Sequence, residues 1–178
     1  MTCIIGLVHE GTVWIGGDSG SVSGWNVRTT MLEKVFRVQD FLIGYTGSFR
    51  MGQILQYHLE VPPQEGVGDL RYLVTEFVPR VRACFKDHWF STIDDKDNQG
   101  GTFLLGYRGH LYTVFDDFQI NEPGDKIGAC GNGQEYALGA MMALRHLPPE
   151  ARIMRTLGIV AYFSPIIYTP FHILSMEG

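Results

Sequence analysis

The start of the chain contains two pairs of β-like runs, and this feature constrains the fold more than any other. Within each pair only two residues separate the runs, which are residues 2–9 (TCIIGLVH) with 12–17 (TVWIGG), and 34–38 (KVFRV) with 41–46 (FLIGYT). Two-residue loops of this kind join neighbouring antiparallel strands into hairpins. We therefore expect antiparallel sheets rather than a sheet of parallel strands.

The rest of the chain adds pairs of helices to these hairpins. A helix is expected after Ser48, and an apolar stripe over residues 70–85 predicts a second one, kinked at Pro79. After a polar loop at 91–100, the patterns predict strands at 101–107, 110–115 and 127–130, helices at 134–146 and 150–163, and a last strand at 167–174. Paired helices between hairpins disfavour a doubly wound sheet, which needs single crossover helices. They favour antiparallel sheets with helices layered outside.

Composition excludes several classes of protein. The 178 residues fit a single domain, residues 1–178, and 45% of them are hydrophobic, which supports a packed core. A net charge of −5 argues against a nucleic-acid partner. Three widely spaced cysteines without a CxxC pair predict neither a disulfide framework nor a zinc site, and reduced thiols suit a cytoplasmic protein.

One uncharged stretch, residues 156–176, approaches the length of a membrane span. Pro165 and Pro170 interrupt it, and polar side chains are scattered through it. We therefore expect a buried helix followed by a strand, and no association with a membrane.

The hairpin registers bring four reactive groups to one end of the sheets. With Glu10-Gly11 as the first loop, the end of the ladder places Thr2 and Cys3 beside Asp18. With Gln39-Asp40 as the second, Lys34 lies opposite Tyr45 and next to Gly44. Packing the hairpins side by side would assemble a hydroxyl, a carboxylate, an amine and an unhindered backbone N–H.

Met1 precedes Thr2, and methionine is readily removed before a small residue. Its removal would give Thr2 a free α-amine with a reference pKa of about 7.7–8.0. A threonine hydroxyl needs a base to become nucleophilic, and an N-terminal amine is one known solution.

Four segments of the chain resemble the proteasome β-type N-terminal-nucleophile (Ntn) hydrolases, and the simpler bacterial HslV-like peptidase subunits most of all. They are TCIIGLVHEGTVWIGGDS, EKVF, FLIGYTGS and GNGQEYALGAMMAL, spread over about 170 residues. The specificity of the match comes from its ungapped intervals, which are 16 positions from Thr2 to Asp18 and 32 from Thr2 to Lys34.

The resemblance implies a role for each residue of the site. Thr2 corresponds to the nucleophile, with its own amine as general base, and Asp18 to the acid that orients the lysine. Lys34 corresponds to the cation that favours the alkoxide, and Gly44 to the glycine whose N–H stabilises the oxyanion. Asn132 occupies the place where the family usually has a serine beside the nucleophile.

The resemblance also implies which residues surround the substrate. Ser21, Leu32 and Leu42 fall near family positions that shape the substrate pocket, and the two leucines predict a preference for apolar side chains. Near the C-terminus, where many family members have an acid and a serine that support the amine, this chain has Ser164 and no acid in YFSPIIYTP.

The family implies a four-layer αββα sandwich, of α+β class, in which two antiparallel sheets are flanked by helix pairs. It implies a threonine-type endopeptidase that assembles into homo-oligomeric rings, degrades peptides or unfolded proteins, and works with an ATPase ring. The chemistry requires neither a metal nor an organic cofactor. Two alternatives remain open, a catalytically inactive ring or scaffold subunit of the same fold, and an Ntn amidohydrolase acting on small amides.

Overall fold

The computed structural model describes residues 2–24, 26–90 and 101–178, so Met1, Trp25 and the predicted polar loop at 91–100 lie outside the described residues. The strands along the described residues are β1 (Cys3–His9), β2 (Thr12–Gly17), β3 (Gly20–Ser23), β4 (Asn26–Thr29), β5 (Val35–Val38), β6 (Phe41–Tyr45), β7 (Phe103–Tyr107), β8 (His110–Val114), β9 (Ile120–Asn121), β10 (Ile127–Gly131) and β11 (His172–Glu177).

The helices follow in two groups. The first group consists of α1 (Phe49–His58), α2 (Asp69–Tyr72) and α3 (Val78–Asp87), and the second of α4 (Gln134–Ala143) and α5 (Pro149–Phe163). The Ser48 hydroxyl accepts hydrogen bonds from the Arg50 and Met51 N–H groups in the first turn of α1, as expected of a capping serine. Between α2 and α3 the chain forms a π-helical turn (Leu73–Phe77), which comes just before Pro79, where the sequence predicted a kink.

Two antiparallel sheets form the centre of the molecule. One has the strand order β10-β1-β2-β11 and the other β5-β6-β7-β8-β9, while β3 and β4 pair in a separate small hairpin. The two predicted hairpin registers are confirmed, because His9 pairs with Thr12 in the first and Val35 with Gly44 in the second.

Three apolar clusters show how the layers pack. The first lies between the five-stranded sheet and α1–α3, and the second between the four-stranded sheet and α4–α5. The third lies between the two sheets and includes Ile4, Ile15, Leu42 and Leu104. The order of layers is therefore helices, sheet, sheet, helices, which confirms the predicted αββα sandwich.

The strand predictions failed at three places, of which the smallest is the two-residue β9, which was not predicted. The hairpin of β3 and β4 was not predicted, because its segments are short and rich in Gly, Ser, Asn and Thr, without alternating apolar residues. The last strand was predicted at 167–174 but begins at His172. Pro170 cannot donate a hydrogen bond to a sheet ladder, and the strand starts only after it.

Among the described residues no helix combines the length and the apolar character needed to cross a membrane. The uncharged stretch 156–176 divides between the end of α5 and the beginning of β11.

Candidate active site

A buried ion pair lies at the end of the two sheets where β1 begins and β2 ends. Lys34, immediately before β5, places its Nζ 3.1 Å from both carboxylate oxygens of Asp18, immediately after β2. Both side chains are completely shielded from solvent. The same Nζ donates a hydrogen bond to the Gly20 carbonyl, at 2.6 Å. Two hairpins distant along the chain thus meet through one charge pair, as their registers predicted.

Backbone N–H groups surround the other side of the Asp18 carboxylate. The Cys3 N–H donates to Oδ1 at 3.0 Å, and the Gly20 N–H donates to Oδ2 at 2.7 Å. A longer contact of 3.5 Å comes from the Tyr168 N–H, in the segment between α5 and β11. These bonds fix the orientation of the carboxylate, which in turn holds the ammonium group of Lys34.

The environment of Lys34 lowers its pKa below the ordinary value of 10.5. Burial is the main cause, because it disfavours the charged form, whereas the charge of Asp18 and its hydrogen bond oppose the shift. An ammonium group has three N–H donors. One can be shared between the two oxygens of Asp18 and one goes to the Gly20 carbonyl, which leaves a donor for a further acceptor.

Thr2 is held next to this pair. Thr2 is only 4% exposed. The N–H of the next residue, Cys3, donates to Asp18 Oδ1, the oxygen that also accepts from Lys34. The Thr2 carbonyl accepts a hydrogen bond from the Asn132 N–H at 2.8 Å. Gly131 lies so close to this carbonyl that a side chain there would collide with it. The structure therefore brings Thr2, Asp18, Lys34 and Asn132 together.

Ser164 also reaches this site, through Asn132. Its hydroxyl donates a hydrogen bond to Asn132 Oδ1 at 2.7 Å, which links the end of α5 to the loop after β10. The pairing fixes the orientation of the Asn132 amide.

Gly44 lies in the middle of β6, where the sheet ladder uses its N–H. The Thr46 N–H donates to the Thr102 carbonyl of the neighbouring strand. In an antiparallel ladder every second residue donates to the same neighbour, so Gly44, two positions before Thr46, does so too. Gly44 is opposite Leu104, so its N–H points to that carbonyl. A Cβ at Gly44 would lie 2.6 Å from Ile4 Cγ2 and 2.7 Å from Ile15 Cγ2. The residue is therefore a close-packing point between the sheets, and its N–H is not available to a ligand.

Gly47 has the properties that Gly44 lacks, although it was not among the site residues predicted from the sequence. It follows β6, is exposed, and has a φ of +83°, with open space around the position of a Cβ. Among the described residues, no acceptor binds its N–H. Its neighbours border the site, because Thr46 packs on Gly131 and the Phe49 ring lies 5.8 Å from Lys34 Nζ. A glycine immediately before a capping serine was the available signal.

The three residues predicted to shape a substrate pocket have different environments. Leu42 is completely buried in the cluster between the sheets, so it cannot line a pocket. Ser21 is half-buried in β3, next to the Gly20 carbonyl that binds Lys34. Leu32 is 43% exposed and borders a small cavity together with Glu33, the residue before Lys34.

A larger cavity lies far from these residues, at the opposite end of β1. It measures about 700 Å³ and is bordered by the turns at Glu10-Gly11 and Arg108-Gly109. Its charged side chains have both signs, and it contains no nucleophile comparable to Thr2. We therefore locate the candidate active site by its chemistry rather than by cavity size. No metal-binding cluster of His, Cys, Asp or Glu occurs in the described part of the chain.

The cysteine beside Thr2 is not a competing nucleophile. Burial, with a further contribution from the charge of Asp18, raises the pKa of Cys3 to about 12. Burial also raises the pKa of Cys84 and of Cys130. Each side chain is buried in the structure.

We expect iodoacetamide to leave the three thiols of the native protein unmodified at pH 8. With a pKa near 12, about one Cys3 side chain in 10⁴ is a thiolate at that pH. Mass spectrometry after denaturation should instead show three alkylated cysteines. Rapid modification of Cys3 before denaturation would contradict the burial described above.

The chain is similar to a known protein along almost its whole length. No family model matches the chain. The "ATP-dependent protease subunit HslV" of Caldicellulosiruptor saccharolyticus is 27% identical over 182 residues, which cover 99% of this chain and 97% of that protein. The similarity therefore extends from end to end.

Solved structures share the fold. Thiobacillus denitrificans BPH superposes with a TM-score of 0.82 at 22% identity, covering 98% of this chain and 97% of the other, and its complex with epoxomicin gives 0.83 at 21%, covering 98% of each. Eukaryotic HslV from Trypanosoma brucei gives 0.70 at 17%, covering 99% of each chain. Such coverage leaves no described layer of the sandwich without a counterpart in these structures.

Proposed function

We propose that this chain, a proteasome β-like protein, is a threonine-type peptidase. The proposal starts from its Ntn hydrolase fold and its resemblance to HslV. The nucleophile is the Thr2 hydroxyl, and the general base is the α-amine that Thr2 gains when Met1 is removed. The observation that carries this proposal is the shared Asp18 oxygen, which binds both the backbone N–H after Thr2 and the ammonium group of Lys34.

The reaction begins when the amine accepts the proton of the Thr2 hydroxyl. The nearby charge of Lys34 favours the developing alkoxide, and its remaining N–H is a donor for that oxygen. Attack on the carbonyl carbon of a peptide bond then produces a tetrahedral oxyanion. We assign the donor for this oxyanion to the N–H of Gly47 rather than Gly44, because only Gly47 leaves its N–H unbound among the described residues.

Collapse of the tetrahedral intermediate breaks the C–N bond. The proton held by the amine passes to the departing nitrogen, and the acyl group remains on Thr2 as an ester. A water molecule, deprotonated by the same amine, then attacks the ester and releases the acid. Asn132, fixed by Ser164, lies on the other side of Thr2 and can bind the amine or the substrate backbone.

The outer face of α4 and α5 supports assembly into a homo-oligomer. Tyr136, Tyr162 and Phe163 are 52%, 84% and 59% exposed in the single chain. Tyr136 stacks on Phe163, and Tyr162 meets Phe163 edge-on. Met142 and Met154 extend the apolar surface. An exposed apolar patch of this kind is typical of a protein interface, and a second copy of the chain is the partner that ring formation would supply.

The name of the similar HslV protein supports a separate ATPase as a partner of this chain. HslV of Caldicellulosiruptor saccharolyticus is called a subunit of an ATP-dependent protease. This chain lacks the GxxxxGK[ST] loop that binds nucleotide phosphates. ATP hydrolysis would therefore be the task of another protein, which would deliver unfolded chains as substrates.

The proposal is tested by an epoxyketone probe, which reacts with an N-terminal threonine through both its amine and its hydroxyl. We expect the intact mass of the purified protein to be lower than the mass calculated from the full sequence by one methionine residue. After treatment, peptide mapping should find a single adduct on Thr2.

The same experiment separates the two alternatives. Retained Met1 with no adduct would contradict the proposal and favour an inactive subunit. An adduct on Thr2 in a protein that remains a single protomer and cleaves small amides but no peptides would favour the amidohydrolase.

A further inference from the structure

A small cavity of about 250 Å³ lies next to the chain segment that immediately precedes Lys34. It is bordered by residues 31–33, by Tyr45 at the end of β6, and by Gln53, Gln56 and Tyr57 on α1. The Tyr45 ring rests on Gly52, where any side chain would collide with it. A cavity of this size is below the range of ordinary ligand sites and fits one long side chain.

Residues that border the cavity are backbone neighbours of residues in the active site. Glu33 directly precedes Lys34, and the Tyr45 N–H donates to the Lys34 carbonyl at 3.0 Å. Thr46, which follows Tyr45, packs on the Gly131 residue that contacts Thr2. A peptide carbonyl between Thr2 and Gly47 is therefore next to the cavity, within reach of a side chain of the same substrate residue.

The residues around the cavity match a long basic side chain. Glu33 is the only charged residue on its border and is exposed, with no ion-pair partner among the described residues. The amides of Gln53 and Gln56 add hydrogen-bond acceptors. Leu32 and the tyrosine rings provide apolar surface for the carbon stem of a lysine or arginine. Burial raises the pKa of Tyr45 to about 12, so its hydroxyl is neutral at pH 7.

We infer that this peptidase prefers substrates with arginine or lysine immediately before the cleaved bond, and that Glu33 determines this preference. The inference rests on the proposed function and specifies its substrate class. It replaces the apolar preference expected from Leu32 and Leu42, because Leu42 is buried between the sheets and Leu32 borders the cavity together with an acid.

The test uses fluorogenic tripeptides that differ only in the residue before the cleaved bond, which is Arg, Lys, Leu or Glu. We expect kcat/KM for the Arg and Lys substrates to exceed that for Leu about 10-fold or more. In Glu33→Gln, the values for Arg and Lys should fall about 10-fold while the value for Leu changes less than about 2-fold. Glu33→Lys should make the Glu substrate better than the Arg substrate.

Glu10→Gln is the matched control, since Glu10 is an exposed glutamate in the turn at the opposite end of β1. It should leave all four values unchanged. Equal cleavage of Arg and Leu substrates, or an Arg preference that survives in Glu33→Gln, would overturn this inference while the peptidase activity stands. No cleavage of any substrate and no probe adduct on Thr2 would overturn the proposed function, and this inference with it.

Discussion

Replacing Thr2 with alanine is expected to reduce kcat/KM for peptide substrates by about 10⁴-fold or more, because it removes the only nucleophile of the proposed reaction. The N-terminal amine remains after methionine removal, but it has no hydroxyl to activate. Thr2 Oγ1 makes no hydrogen bond to any described residue, so the change loses only the packing of a small buried side chain and should cost about 1–2 kcal/mol of folding free energy. Steady-state kinetics and a thermal melt measure the two effects separately.

Thr2→Ser is the matched control for this experiment. Serine keeps both the hydroxyl and the amine, so measurable turnover and the epoxyketone adduct should persist. Activity of Thr2→Ala near that of the unmodified protein would mean that the nucleophile lies elsewhere. Equal inactivity of Thr2→Ser and Thr2→Ala in folded protein would argue against hydroxyl chemistry at this position.

The ion pair of the site could be predicted from the sequence, because two-residue loops fix the pairing of the strands on either side of them. Once His9 faces Thr12, the end of the ladder places Thr2 and Cys3 beside Asp18. The same reasoning places Lys34 opposite Tyr45. The contact between Lys34 and Asp18 required one further step, the packing of one sheet on the other, which the order of helices and hairpins indicated.

The sequence did not reveal which face of a strand each residue uses, and the errors arose there. Gly44 and Leu42 are two residues apart in β6, so both point to the interior between the sheets, where neither can reach a substrate. Gly47 lies beyond the strand, where the chain turns into α1. Its backbone N–H is unbound among the described residues only because the ladder has ended, which is a property of three-dimensional structure.

Replacing Asp18 with asparagine is expected to lower both stability and activity. The change removes the negative charge from a site where Lys34 is completely buried. Breaking a buried pair in this way typically costs about 3–5 kcal/mol. For a chain of this length we expect a fall in Tm on the order of 10 °C. Asp40→Asn, at an exposed position in the β5–β6 turn, is the control and should leave Tm nearly unchanged.

The effect of Asp18→Asn on activity follows from the pKa of Lys34. Burial already lowers that pKa, and Asp18 opposes the shift more than any other residue. Without the carboxylate, the pKa of Lys34 should fall further, and the neutral amine would no longer stabilise the alkoxide of Thr2. We expect a loss of about 10²–10³-fold in kcat/KM, comparable to removing one oxyanion donor elsewhere. Activity within 10-fold of the original would contradict a role for this charge.

Lys34→Met should inactivate the protein as strongly but destabilise it less than Asp18→Asn. In Lys34→Met the carboxylate loses its cation but keeps the N–H donors of Cys3 and Gly20. In Asp18→Asn the Lys34 side chain keeps its hydrogen bond to the Gly20 carbonyl. It then has no negatively charged partner among the described residues. The Asp18→Asn, Lys34→Met double variant should therefore be more stable than Asp18→Asn alone, because it no longer buries the Lys34 amine without its carboxylate partner. A double variant less stable than Asp18→Asn would show that Lys34 stabilises the fold by itself.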